Sequence, residues 1–307
     1  MNNNYIEQSR LVLRVLPLIK KYKHFCLKGG TALNFFVQDL PRLSVDIDLT
    51  YIPINNRITA LTDITTSMES LKKDIERRFG KSLVTEKRTR DKYIRGLLVN
   101  VDGSSIKIEP NHVIRGTVFE PETRSLAPGA VKYFEEELDF PTLSIPDLYG
   151  GKICAALDRQ HPRDLFDIIL MQESVGFTLE IKQAFLVYLL SHPRPILEVL
   201  NPNRLDLKGI YEKEFKNMTE RVVTLEELEL AREQIIMMIT SSLTEQDKTF
   251  LLSVKSGEPQ WKLHPCPHIK ELPAVRWKLQ NIMQMEKSKR VLAFNKLKSF
   301  LYQKEDS

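Results

Sequence analysis

Apolar side chains recur with helical spacing at the start of the chain. Over residues 5–22, Leu11, Leu13, Val15, Leu16, Leu18 and Ile19 crowd one broad face, which predicts an amphipathic helix. The short run Phe25-Cys26-Leu27 reads as a strand that stops at Gly29-Gly30. Residues 31–37, with Ala32, Leu33, Phe35 and Phe36, read as a helix. Residues 45–49 alternate strictly: Val45, Ile47 and Leu49 point one way, Asp46 and Asp48 the other. A further helix is predicted over 59–79, entered past the polar Ile54-Asn55-Asn56 stretch and stopped by Gly80. Strands follow at 82–85, 93–101 and 106–109, the last two joined by the hairpin signal Asp102-Gly103-Ser104. Residues 111–118 are expected to continue the sheet. Past the proline-rich stretch 140–146 the pattern is helical almost to the end, which divides the chain into an α/β part, 1–140, and a mainly helical part, 141–307.

Two clusters carry candidate chemistry. In Lys28-Gly29-Gly30-Thr31-Ala32-Leu33, the glycines let the backbone turn sharply, with positive φ expected at Gly30, and approach a ligand closely. Thr31 is placed to cap the following helix, whose free N–H groups attract an anion. In Arg42-Leu43-Ser44-Val45-Asp46-Ile47-Asp48-Leu49, two carboxylates share one strand face and repel each other unless a cation sits between them. Mg²⁺ suits such a pair, because it takes one or two carboxylates and fills its other positions with water and substrate phosphates. Each cluster alone has an ordinary reading, as a capped turn or a solvated strand face. Their succession at close spacing favours phosphoryl chemistry.

The pattern Gly-Gly-Thr-Ala-Leu, then Arg-x-Ser-x-Asp-Ile-Asp-Leu, resembles the polymerase-β-like nucleotidyltransferases, and more narrowly the AbiEii/AbiGii-type nucleotidyltransferase toxins of toxin–antitoxin and phage-defence loci. A second match is Gly151-Lys152-Ile153-Cys154-Ala155-Ala156-Leu157-Asp158-Arg159, then Pro162-Arg163-Asp164-Leu165-Phe166-Asp167. The likeness covers roughly residues 20–170. It implies an α+β fold: a nucleotidyltransferase domain with a mixed sheet, then a mainly α-helical domain whose first helices complete an active-site cleft.

The resemblance also implies roles. Asp46 and Asp48 bind Mg²⁺ or Mn²⁺, and a third acidic residue lies on a neighbouring strand. Glu109 is the candidate, since Lys107 and Glu109 share a face opposite Ile106 and Ile108, although an exposed Lys–Glu face reads equally well from the residues. Lys28, Gly29, Gly30, Thr31, Arg42 and Ser44 are candidates for holding the NTP. Lys152 and Arg159 lie seven apart, near one helix face, and Asp164 and Asp167 share a face three apart after Pro162, a favoured first-turn residue. Lys152, Arg159 and Arg163 would then meet phosphate, with Lys152 reaching into a wet cleft and contributing little to stability, and Asp164 and Asp167 would belong to the catalytic set. A structural ion-pair network linking two helices is the competing reading.

Composition bounds the rest. Hydrophobic residues make up 42% of the 307 and charged ones 28%, which fits a folded globular chain and excludes wholesale disorder. The net charge of +5 leans toward an anionic partner. Cys26, Cys154 and Cys266 are odd in number and far apart, so a reducing compartment is expected rather than a disulfide framework. With no signal-like N-terminal pattern and no long apolar run, a cytoplasmic protein without membrane contact is expected. Basic residues gather in two stretches: Lys72, Lys73, Arg77, Arg78, Lys81, Lys87, Arg88, Arg90, Lys92 and Arg95, and later Lys287, Lys289, Arg290, Lys296 and Lys298. Either could track RNA or be a solvated face. His264, Cys266 and His268 lack a fourth ligand nearby and argue weakly for zinc.

The resulting expectation is transfer of a nucleoside monophosphate from an NTP to RNA, with tRNA foremost, by a toxin held in check by an antitoxin encoded nearby. A small-molecule acceptor of the antibiotic type, or a catalytically idle module that binds RNA or a partner, stays open from the residues.

Overall fold

The computed structural model describes residues 3–80, 84–216, 218–219 and 221–302. It falls into two units, one formed by Met1–Leu148 and Ile210–Val223, the other by Tyr149–Gly209 and Thr224–Ser307.

In the first unit, the described strands form one seven-stranded mixed sheet in the order β3-β4-β5-β2-β1-β7-β6. Its centre is β1 (Phe25–Lys28), antiparallel to β2 (Asp46–Tyr51), which runs parallel to β5 (Ser104–Pro110). On that side β4 (Ile94–Val101) and β3 (Val84–Arg88) continue antiparallel. On the other side β7 (Asp139–Thr142) lies parallel to β1, and β6 (Glu122–Ser125) is antiparallel to β7. One face is apolar: Ile47, Leu49, Leu97, Val99, Ile106 and Ile108 are all buried. Helix α1 (Asn3–Ile19) covers it at β5 with Leu11, Val12, Val15 and Leu16 buried, and α3 (Arg57–Phe79) covers it at β4. Gly80 ends α3 with φ 113°, as its position after the helical pattern predicts. Asp102 and Gly103, at φ 50° and 83°, turn the β4–β5 hairpin.

Three expectations change. Residues 111–118 form a loop, not a strand, because Asn111 Oδ1 accepts from the N–H groups of Val113 and Ile114 and so bends the chain after β5. The loop ends on buried Asp147, whose carboxylate accepts from the Val118 and Phe119 N–H groups and from Ser144 Oγ. The proline-rich stretch contributes β7, and β6 and α4 (Pro128–Phe134) precede it. The strand expected at 82–85 begins at Val84, with Ser82 and Leu83 outside the described residues.

The second unit is helical. The division falls inside α5 (Ile145–Arg159), followed by α6 (Pro162–Ser174) and α7 (Leu179–Ser191). α7 buries residues on every side, including Phe185, Val187, Leu189 and Leu190, and forms the unit's core. α5 approaches it through Gly150, where a Cβ would stand 2.7 Å from the Phe185 nitrogen. After α8 (Ile196–Leu200) and α9 (Lys208–Glu214), capping boxes at Thr224 and Thr244 start α10 (Leu225–Ser242) and α11 (Glu245–Ser256). The last described helices are α12 (Pro273–Gln284) and α13 (Lys287–Tyr302). Among the described residues no helix is long and apolar enough to cross a membrane.

Candidate active site

β1 ends at Lys28 and the chain turns straight into α2 (Gly29–Ala32), which continues as a π-helical segment, Leu33–Val37. The positive φ falls at Gly29 (+70°), not at Gly30 as the sequence suggests. Thr31 does not cap this helix; Lys28 occupies the cap position without a side-chain cap bond. Instead the Thr31 side chain is buried, with its hydroxyl 2.5 Å from the Asp46 carbonyl and 2.9 Å from Ser44 Oγ. A hydroxyl has one hydrogen, so it donates to the Asp46 carbonyl and accepts from Ser44. Thr31 therefore braces the turn against the strand that carries the two aspartates.

Other side chains tighten this brace. Buried Arg42 donates from Nη1 to the Leu43 carbonyl at 3.0 Å. Its Nη2 lies where a Cβ on Gly30 would come within 2.8 Å. Asn34 Nδ2 donates to the Gly30 carbonyl at 2.8 Å, and Ser9 Oγ donates to the Ser44 carbonyl at 3.1 Å. From far along the chain, Thr219 forms an antiparallel bridge with Arg42. Ser9, Asn34 and Thr219 escape a sequence reading because their partners are remote in sequence or depend on the helix register. Arg42 and Ser44, expected to hold nucleotide, are buried under the turn, beside Gly30.

The carboxylates line the face of the sheet opposite the apolar one. Lys28 pairs in register with Asp48, and Asp48 with Glu109; Asp46 pairs with Lys107. Register partners share a face, so Lys28, Asp46, Asp48, Lys107 and Glu109 lie together on it. Asp46, Asp48 and Glu109 are half-buried, and Lys107 is exposed. A Cβ on Gly29 would stand 2.6 Å from Asp48 Oδ2, so the glycine turn sits directly against that carboxylate. A Cβ on Gly96 of β4 would stand 3.2 Å from Glu109 Cγ and 2.9 Å from the Ile108 oxygen. An interior strand glycine signals such a close approach. Among the described residues no group of three or more His, Cys, Asp or Glu is arranged to hold a metal ion. The donor set nevertheless suits Mg²⁺, which needs only one or two carboxylates when substrate phosphates and water complete its shell.

In the helical unit, Lys152 Nζ lies 2.9 Å from Asp164 Oδ1 and 2.9 Å from Asp167 Oδ2, with all three side chains at most 6% exposed. Arg159 Nε reaches Asp164 Oδ2 at 2.6 Å, while its own side chain is 62% exposed. His161 caps α6 by accepting from the Arg163 N–H. Burial alone would push the Asp164 carboxyl up; the Lys152 ammonium and Arg159 guanidinium outweigh it and hold the group well below the ordinary carboxylate range. The solvated lysine expected from the sequence is corrected: Lys152 is locked between two aspartates. His264 is likewise spent on structure, with Nε2 against the Gln183 carbonyl at 3.2 Å and Nδ1 accepting from the Cys266 N–H.

The mixed sheet sets a glycine turn against an Asp-x-Asp strand. The family model described as "Nucleotidyl transferase AbiEii toxin, Type IV TA system" matches residues 10–281, and the chain belongs to this family of nucleotidyltransferase toxins. The structure is also similar to MenT4, a nucleotidyltransferase toxin from Mycobacterium tuberculosis H37Rv. The TM-score is 0.60 at 13% identity, over 91% of this chain and 93% of that one. At that identity the likeness is one of fold. No curated protein matches the chain.

Proposed function

We propose that this nucleotidyltransferase moves a nucleoside monophosphate from an NTP to a hydroxyl of RNA, with tRNA the foremost acceptor, and releases pyrophosphate. The observation that carries the reading is the contact of Gly29 with Asp48: a turn free of side chains lies against a strand bearing two carboxylates. The backbone at Gly29 and Gly30 approaches the β and γ phosphates, helped by Lys28, the register partner of Asp48. Thr31, Arg42 and Ser44 keep the turn in that position. Asp46 and Asp48 hold Mg²⁺ or Mn²⁺, with Glu109 beside them. The bound ion supplies charge neutralisation at the phosphates. Glu109 accepts the proton of the attacking hydroxyl as its oxygen bonds to the α-phosphorus, and the bond to the bridging oxygen of the pyrophosphate breaks.

Lys152, Asp164 and Asp167 hold the α5–α6 corner, with Arg159 and Arg163 at its outer edge. The family resemblance supports a part for this corner in the reaction, and paired stability and activity measurements test that reading. A neutralising antitoxin encoded nearby, a role in phage defence and a cytoplasmic setting belong to the same proposal.

The test is incubation with each α-labelled NTP, Mg²⁺ and total RNA, followed by separation of RNA from protein. Label in RNA with at least one NTP is expected. Label confined to protein or to a small molecule, or no transfer with any NTP, would overturn the RNA assignment.

A further inference from the structure

The two basic stretches differ once folded. Among the described residues, three cations of the first are paired with carboxylates: Lys72 meets Glu86 at 2.9 Å, and Arg88 meets Glu69 at 2.8 Å and Glu86 at 2.7 Å. Arg77 meets Asp74. Lys81 lies outside the described residues. Along α12 and α13 the ion pairs are long and exposed, with Arg276–Glu271 and Lys289–Glu286 both at 3.8 Å. Residues 273–302 contain seven Lys or Arg and one acid, Glu286. Those thirty residues carry +6 against +5 for the whole chain, so the remainder nets −1.

α12 also carries exposed side chains of the kinds suited to stacking on and hydrogen bonding to a base. Trp277 is 57% exposed. Helical spacing puts Asn281 and Gln284 on its face, with Gln280 adjoining, and all three are exposed. Lys278 turns inward and donates to the His192 and Arg194 carbonyls, so it belongs to the scaffold. α13 is buried fully only at Leu297 and Leu301, which leaves its lysines in solvent.

We infer that α12 and α13 form an RNA-docking surface, on which Lys287, Lys289, Lys296 and Lys298 follow the phosphate backbone and Trp277 stacks on an unpaired base. The inference rests on the proposal that the acceptor is RNA. Amide side chains beside an exposed indole, on helices rich in exposed cations, suit stacking and hydrogen bonding to bases better than a protein interface.

The test is fluorescence anisotropy of a labelled bulk tRNA fraction across a salt series, without NTP. The Lys287→Gln/Lys289→Gln/Lys296→Gln variant, confirmed as folded by its melting curve, is expected to bind at least about tenfold more weakly. Its log–log salt slope should be shallower by about 2, since each lost phosphate contact removes about 0.7. Trp277→Ala should weaken binding about tenfold at an unchanged slope. Lys72→Gln/Arg88→Gln, in the paired stretch, should bind as the wild type does. Unchanged RNA affinity in the folded triple variant would overturn the inference and leave exposed Val291 and Leu292 to an acidic protein partner. An equal loss in the paired-stretch control would overturn it as nonspecific. Because binding is read without turnover, the two proposals fail separately. Wild-type RNA binding that needs these lysines, without any transfer to RNA, would sink the proposed reaction alone.

Discussion

Gly29 lies so close to Asp48 that a Cβ on the glycine would stand 2.6 Å from the carboxylate Oδ2. The same residue has φ +70°, where an L side chain costs roughly 1–2 kcal/mol. Gly29→Ala therefore strains the turn and displaces the carboxylate at once. Turnover should fall by at least about tenfold, with a small drop in melting temperature. Gly30→Ala, whose Cβ would press on Arg42 and Ser44, should act mainly on apparent NTP affinity. Steady-state titration of both variants checks the split, and unchanged kinetics in folded Gly29→Ala would remove the turn from the site.

Gly96 leaves the room that Glu109 occupies. A Cβ there would meet the Ile108 oxygen at 2.9 Å, which is backbone and yields little, and Glu109 Cγ at 3.2 Å. If Glu109 accepts the proton, Glu109→Gln should lower kcat by about 100-fold or more with KM for NTP little changed. Gly96→Ala should give a milder loss of the same kind. A Glu109→Gln enzyme with normal kcat would assign the proton to another group.

The Lys152 cluster makes a prediction signed in pH. Removing one partner of a buried ion pair typically costs roughly 3–5 kcal/mol, so Lys152→Met should destabilise the helical unit strongly at pH 7. In the wild type the folded-state pKa of Asp164 is depressed. Its stabilising contribution is thus complete above the unfolded value of about 3.9 and is lost as pH falls below that. In the variant Asp164 keeps Arg159 but loses the Lys152 ammonium, so its buried carboxyl is harder to ionise than in the wild type and acid costs the variant less. The gap in melting temperature between wild type and variant should be widest near pH 7 and narrow toward pH 4. A gap that is small and independent of pH, with activity abolished, would restore Lys152 to direct contact with phosphate.

Much of the candidate site's geometry is readable in the sequence because it obeys short periods. Asp46 and Asp48 share a face through the two-residue repeat of a strand, and Glu109 joins them through the same repeat on β5. The β4–β5 turn was announced by Asp102-Gly103. Thr31 differs from expectation because a hydroxyl after two glycines has the local look of a cap. Its actual partners, Ser44 and the Asp46 carbonyl, come from tertiary packing. Short β6 and β7, with Pro141 inside β7, give too little alternation to stand out from a linker. The burial of Lys152 depends on the angle at which α6 returns from α5, which Pro162 permits but no local pattern specifies.

The most direct measurement is transfer of α-labelled nucleotide to RNA by the wild type, Asp46→Asn and Asp48→Asn, at matched folded concentration and with Mg²⁺ present. Each substitution keeps side-chain size and removes one negative charge from the face that Gly29 adjoins. Loss of transfer by about 100-fold or more in both variants, with melting temperatures near that of the wild type, is the expected result. Near-normal transfer by either folded variant would contradict the assignment of β2 as the catalytic strand.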